Sequence, residues 1–285
     1  MRLLKILFSI ILVIVIIFTL YLKFTNRPDY AAPELECDTD TISISVKTDI
    51  NEILKHIKAT DSKDGDLSDN VIIESISPFI GKNNAKVIFA VADSDNNVSK
   101  LEKDIIFSDY ANPVFSIKKQ HVYYMGATKI DLMSGVHATD LLDGDISSRV
   151  VVIDSQIDLS MPGVYPVKYK VTTSKGVTSE ITLNAYVYAS RFRNSIELSS
   201  YLVYTDSKTK IDPMKFVESY PDEYFEDDYR DNYDYKFDVI DEVKYDKAGI
   251  YYITYRISRT EKRTTNEEPE ILAEAYLAVA VRGEK

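Results

Sequence analysis

Apolar and polar residues alternate in short runs along most of the chain. T-I-S-I-S-V at 41–46 puts Ile42, Ile44 and Val46 on one face, which is the period of a half-buried strand. K-V-I-F-A-V-A at 86–92, G-V-Y-P-V-K-Y-K-V at 163–171, G-I-Y-Y-I-T-Y-R-I at 249–257 and A-E-A-Y-L-A-V-A-V at 273–281 read the same way. Aligning these runs superposes Ala85, Val87, Phe89 and Val91 on Tyr165, Val167, Tyr169 and Val171, and on Tyr251, Ile253, Tyr255 and Ile257. The inward face is kept apolar while the outward face varies, as a sheet buried on one side requires. One stretch has a different period. In D-I-N-E-I-L-K-H-I at 49–57, Ile50, Ile53, Leu54 and Ile57 fall at helical spacing and predict one or two helical turns.

Residues 6–22 have no alternation at all. I-L-F-S-I-I-L-V-I-V-I-I-F-T-L-Y-L is apolar on every side, with Lys5 and Lys23 at its ends. At about 1.5 Å per residue such a run nearly spans the hydrocarbon layer once its lysines snorkel. It is expected to be an uncleaved anchor with the amino terminus cytoplasmic. A cleaved signal peptide is the alternative, although Ala31-Ala32 before Pro33 makes a poor cleavage site.

The polar segments repeat as well. A-T-D-S-K-D-G-D at 59–66 returns at 138–145 as A-T-D-L-L-D-G-D, differing only in the fourth and fifth places. K-I-D-L-M at 129–133 returns as K-I-D-P-M at 210–214. Repetition of this kind marks tandem copies of one unit. The expected architecture is all-β: three tandem immunoglobulin-like β-sandwiches after one transmembrane helix. The boundaries are a cytoplasmic tip and anchor at 1–27, a stalk at 28–40, modules at 41–109 and 110–189, and a divergent third module at 190–285.

Composition narrows the function. The 285 residues carry a net charge of −11, and the segment 1–27 holds Arg2, Lys5, Lys23 and Arg27 without an acid, so the remainder is more acidic still. That balance argues against nucleic acid as a partner, whose capture rests on Lys and Arg. A single cysteine, Cys37, rules out an intrachain disulfide framework. There is no nucleophile elbow, no phosphate-binding Gly loop and no HExxH, so no catalytic residue is assigned and the chain reads as non-enzymatic.

Two groups of residues are candidates for binding. Asp61, Asp64 and Asp66, and again Asp140, Asp143 and Asp145, cluster round a glycine. Hard carboxylate oxygens of this kind suit calcium. The other reading is a tight turn whose aspartates accept backbone N–H groups. The second candidate is the acidic, tyrosine-rich stretch 218–242, where Tyr220, Tyr224, Tyr229, Tyr233 and Tyr235 offer an adaptable contact surface. Its other reading is a solvated insertion whose tyrosines cover the sandwich. His56, His121 and His137 show no metal spacing and are expected to be incidental.

A-T-D-x-x-D-G-D followed by a strand, then P-G-x-Y-x-V-x-Y-x-V and a polar hairpin, resembles the bacterial immunoglobulin-like family typified by a module of a pesticidal crystal toxin. The second module carries the whole pattern, the first lacks the G-x-Y element, and the third keeps only that strand. The resemblance implies tandem modules of a surface or secreted protein. The expected function is therefore binding or adhesion at the bacterial cell surface, toward an unknown protein or a cell-surface glycan, with the membrane held by the amino-terminal helix. A structural spacer or an assembly component of an envelope complex is the alternative, and a surface glycosidase a further one.

Overall fold

The computed structural model describes residues 2–25, 30–192, 195–222, 232–262 and 268–283. One helix, α1 (Arg2–Thr25), precedes strands arranged in several sheets. Its segment Ile6–Lys23 has a mean hydropathy of 2.8 and is not buried, so it is long and apolar enough to cross a membrane. The chain divides into two compact units, residues 1–110 and 111–285.

Unit 1 contains β1 (Glu34–Cys37), β2 (Thr41–Ile44), β3 (Ile57–Asp61), β4 (Gly65–Asp66), β5 (Ile72–Ile76), β6 (Asn84–Ala92) and β7 (Val98–Phe107). They form a sheet β1-β3-β4 and a sheet β5-β6-β7-β2, in which β2 runs parallel to β7. The first sheet includes Glu34–Cys37 paired with Ile57–Thr60, inside the segment 28–40 expected to be a stalk. Glu34, Glu36 and Cys37 have no apolar alternation to announce a strand; what holds them is the edge of β3. The helical spacing at 49–57 is realised as a 3₁₀ helix at Ile50–His56, which buries Ile53.

Unit 2 repeats this scheme. β8 (Val114–Ile117), β9 (Val122–Tyr124), β10 (Val136–Asp140), β11 (Gly144–Asp145), β12 (Val151–Ser155), β13 (Gly163–Thr172) and β14 (Thr178–Tyr188) give sheets β11-β10-β8 and β12-β13-β14-β9. β15 (Glu197–Leu198), β16 (Leu202–Asp206), β17 (Val217–Ser219), β18 (Tyr233–Asp241), β19 (Gly249–Glu261) and β20 (Glu270–Arg282) give sheets β15-β17 and β18-β19-β20-β16. Each four-stranded sheet is thus a long hairpin flanked on one side by an antiparallel edge strand and on the other by a strand parallel to its second arm, both from earlier in the chain.

The period-2 face lies where the sequence puts it. Ala85, Val87, Phe89 and Val91 are at most 2% exposed, and Val167, Tyr169, Val171, Ile253, Tyr255 and Ile257 are fully buried. Burying one such large side chain contributes about 2 kcal/mol. Tyr165 and Tyr251 are only half-buried, because each folds back over the glycine that precedes it by two. A Cβ on Gly163 would meet the Tyr165 ring at 3.3 Å, and one on Gly249 the Tyr251 hydroxyl at 3.2 Å. G-x-Y is therefore a packing pair. The stretches expected as separate modules at 110–189 and 190–285 share one contiguous apolar core, reaching from Phe115 to Val281.

Candidate functional site

The two acidic turns are superposable in their bonding, and each aspartate has its own task. Asp61 Oδ1 accepts from the N–H groups of Lys63 and Asp64, both at 2.8 Å. Asp140 Oδ1 does the same for Leu142 and Asp143, at 2.9 and 3.0 Å. The second aspartate reaches the distant hairpin loop. Asp64 accepts from the Ser94 N–H and hydroxyl at 2.8 and 2.9 Å, and Asp143 from those of Ser174, both at 2.6 Å. Arg149 adds a 2.5 Å ion pair to Asp143. The third holds the first residue of a short 3₁₀ turn: Asp66 accepts from the Ser68 N–H and Asp145 from the Ser147 N–H, each at 2.9 Å. The Ser68 and Ser147 hydroxyls, and after them these N–H groups, hold the carboxyls of Asp66 and Asp145 below the usual carboxylate range. Gly65 and Gly144 supply the left-handed residue, at φ 77° and 70°.

The carboxylate oxygens are largely taken up by protein donors. Asp61 Oδ2 is buried without a hydrogen-bond partner among the described residues. Among the described residues, no group of three or more His, Cys, Asp or Glu is arranged to hold a metal ion.

The tyrosine-rich stretch divides. Tyr224 and Tyr229 lie outside the described residues. Tyr220 stands just before them and packs against Phe237, ring centroids 4.9 Å apart. Tyr233 lies under the Arg259 guanidinium, 4.1 Å from its ring centre, a cation–π contact. Tyr235 turns inward against the core with Phe237 and Val239. Of the described tyrosines here only Tyr220 is exposed.

Two features were not anticipated from the sequence. The first is the meaning of K-I-D-x-M. Its aspartate caps the turn, Asp131 accepting from Met133 N–H and Asp212 from Met214 N–H. The next backbone carbonyl receives the core tyrosine: Tyr169 donates to Leu132 O and Tyr255 to Pro213 O, both at 2.7 Å. The same loop accepts from His121, whose Nε2 lies 3.0 Å from Ser134 O and whose Nδ1 lies 2.9 Å from the Tyr169 hydroxyl. His121 is therefore a buried structural group, and burial lowers its pKa. Unit 1 has a weaker copy of the loop, K-T-D-I-N at 47–51, in which Asp49 accepts from Asn51 N–H.

The second is a polar cluster on the outward faces of β14 and β20. Glu274 is 5% exposed. It receives Arg256 Nε and the Tyr188 hydroxyl, both at 2.5 Å, and also the Tyr276 hydroxyl. Tyr186 stacks on Tyr276 at 3.7 Å, and the Asn184 N–H donates to the Tyr252 hydroxyl at 2.8 Å. Burial pushes the Tyr201 and Tyr252 hydroxyls up to about 12, and those of Tyr186, Tyr188 and Tyr276 higher still. Tyr201 is engaged by Glu197 and the Leu198 N–H, whereas the other groups contact one another, and the cluster serves as a lock between the second and third four-stranded sheets.

The stretch that holds the Asp140–Asp145 turn, the G-x-Y strand and its hairpin can now be placed. Residues 125–187 match the family model of the bacterial surface protein Ig-like domain. This Ig-like stretch overlaps β10 to β14, where the turn and the strand motif occur together. A curated relative is the pesticidal crystal protein Cry22Aa of Bacillus thuringiensis, 28% identical over 127 residues. That match takes in 44% of this chain and 18% of the crystal protein, so the chain spans less than a fifth of that relative. Among solved structures, the CBM51-2 and INT domains of Clostridium perfringens ZmpB are 36% identical over 27% of this chain and 17% of that one, with a TM-score of 0.24. The human desmocollin-1 ectodomain is 10% identical over 88% of this chain and 61% of that one, with a TM-score of 0.18. With scores this low, the architecture rests on the strand pairing itself.

Proposed function

We propose that the chain is a membrane-anchored, extracytoplasmic protein of the bacterial surface, built of three tandem Ig-like sandwiches, which acts by binding and without catalysis. The observation that carries this reading is the match of residues 125–187 to a surface Ig-like domain. The location draws support from α1, whose apolar side chains from Ile6 to Leu22 are exposed and need a covering solvent. Recognition is assigned to the third sandwich, at Tyr220, Tyr224, Tyr229 and Tyr233, toward a protein or a cell-surface glycan. Two measurements test it. After an alkaline carbonate wash the chain should stay with membranes, and protease added to intact cells should remove the sandwiches; a chain released by the wash or shielded from protease overturns the location. Glycan and protein arrays should then yield a ligand that is lost on deleting residues 223–231 together with Tyr220→Ala. Capture unaffected by that change overturns the assignment of the surface.

A spacer or assembly role is the second reading. The contiguous core and the Glu274 cluster favour it, because they join the second and third sheets into one stiff body.

A further inference from the structure

The three four-stranded sheets end in different edges. β5 and β12 are five residues long, and each carries a register break against its neighbour, between Ile73 and Ser75 and between Val152 and Asp154. A short, bulged edge is how natural sheets prevent another strand from adding. β18 takes the same place in the third sheet but has nine residues, Tyr233–Asp241, in unbroken register with β19 from Tyr233↔Glu261 to Asp241↔Ile253. Among the described residues it ends its sheet.

The ladder shows which groups look outward. Just beyond it, Lys262 N–H donates to Asn232 O at 2.8 Å. Bonded and non-bonded pairs alternate in an antiparallel ladder. The even-numbered residues of β18 therefore turn their N–H and C=O to β19, and Phe237 and Val239 turn theirs to the open edge. On the solvent face, Lys236 and Asp238 stand on either side of Phe237 and pair with each other at 2.6 Å, with Lys236 72% and Asp238 30% exposed. One positive and one negative charge placed symmetrically about a central residue form a self-complementary pattern. If an identical strand runs antiparallel with Phe237 facing Phe237, each Lys236 lies opposite the other copy's Asp238.

We propose that the β18 edge is a homotypic interface, at which a second copy of this chain adds its own β18 antiparallel about a two-fold axis at Phe237. The contact is isologous and closes after two copies. Backbone bonds from Phe237 give it affinity, and the Lys236–Asp238 cross pairs fix its register. The inference rests on the geometry of β18 alone and is independent of what the surface binds, so either can fail without the other.

The test uses the full chain in detergent micelles. Sedimentation should show a dimer. Lys236→Asp and Asp238→Lys should each convert it to monomer, and the double reversal K236D/D238K should restore the dimer, since the cross pair then re-forms with its signs exchanged. Unchanged far-ultraviolet circular dichroism among the variants separates this from misfolding. In a Cys37→Ser background, Phe237→Cys should oxidise to a disulfide-linked dimer, because Cα atoms facing each other in a bonded pair lie about 5.5 Å apart, within disulfide reach. Met161→Cys, exposed elsewhere in unit 2, should remain monomeric under the same oxidation. A monomeric chain, a double reversal that stays monomeric, or Phe237→Cys cross-linking no faster than Met161→Cys overturns the proposal.

Discussion

Phe89 of the first four-stranded sheet and Tyr169 of the second hold the same station, yet only one carries a hydroxyl. Both side chains are fully buried. In unit 2 the extra oxygen reaches over the sheet's end and ties the K-I-D-x-M loop by its backbone carbonyl, as Tyr255 does again in the third sheet. In unit 1 the corresponding loop, K-T-D-I-N, runs into the 3₁₀ helix Ile50–His56 and lodges Ile53 at 1% exposure. One scaffold thus fixes the same loop in two ways, by a polar tether or by an apolar plug. A buried hydroxyl is tolerated only where a carbonyl is placed to receive it.

The largest expected effect concerns the polar way of joining elements taken to its extreme. Glu274→Ala should cost about 3 kcal/mol, since it leaves Arg256 and two tyrosine hydroxyls without their acceptor. Chemical denaturation would measure the loss, and a cost under about 1 kcal/mol would reduce the cluster to surface decoration. Next comes the exchange of the two stations. Phe89→Tyr should destabilise unit 1 by about 2 kcal/mol through an unreceived hydroxyl, and Tyr169→Phe should cost unit 2 about 1 kcal/mol by freeing Leu132 O. If Phe89→Tyr is neutral, an acceptor exists in unit 1 and the contrast collapses.

A pH titration sharpens the comparison with a smaller effect. Tyr201 and Tyr252 have hydroxyls raised from 10 to about 12 by burial. Unfolded tyrosines ionise near pH 10 while these stay neutral, so their stabilisation is complete below pH 10 and is lost as the pH climbs toward 12. Unit 2 should therefore melt at lower temperature in that window, with phenolate absorbance appearing at the unfolding step. A pH dependence in that window left unchanged by Tyr201→Phe and Tyr252→Phe would contradict the burial. The smallest effect expected is none: chelating divalent cations should leave the melting temperature unchanged, because backbone and hydroxyl donors already engage the aspartates of both acidic turns. A drop on chelation that calcium restores would make those turns cation sites.

Much of this was legible in the residues. The alternating face from Ala85 to Val91, and its copies at 165–171 and 251–257, located the long hairpins because a one-sided sheet imposes a strict period. The acidic turns were legible as turns, since Asp and Gly at those spacings have local work to do. The lock at Glu274 was not. Glu274 and Tyr276 occupy outward positions of A-E-A-Y-L, and period alone assigns outward positions to solvent; only a neighbouring sheet made them interior. The strand at Glu34–Cys37 escaped notice for a related reason, as its partner and not its composition makes it a strand. Within the acidic stretch 218–242, the tyrosines read as a contact surface include Tyr235, which the sheet draws toward the core, while Tyr224 and Tyr229 lie outside the described residues.

The parallel strand that completes each four-stranded sheet has a consequence for the order in which the chain can fold as it is made. β2 bonds to β7, β9 to β14 and β16 to β20, so the earliest strand of every four-stranded sheet waits for its latest. No four-stranded sheet can close while its final strand is still inside the ribosome, and closing it brings together residues as far apart as Thr41 and Asp104 or Leu202 and Ala278. Contacts of such long range form slowly. The emerging polypeptide accordingly stays unlocked until the last strand of each long hairpin has been released.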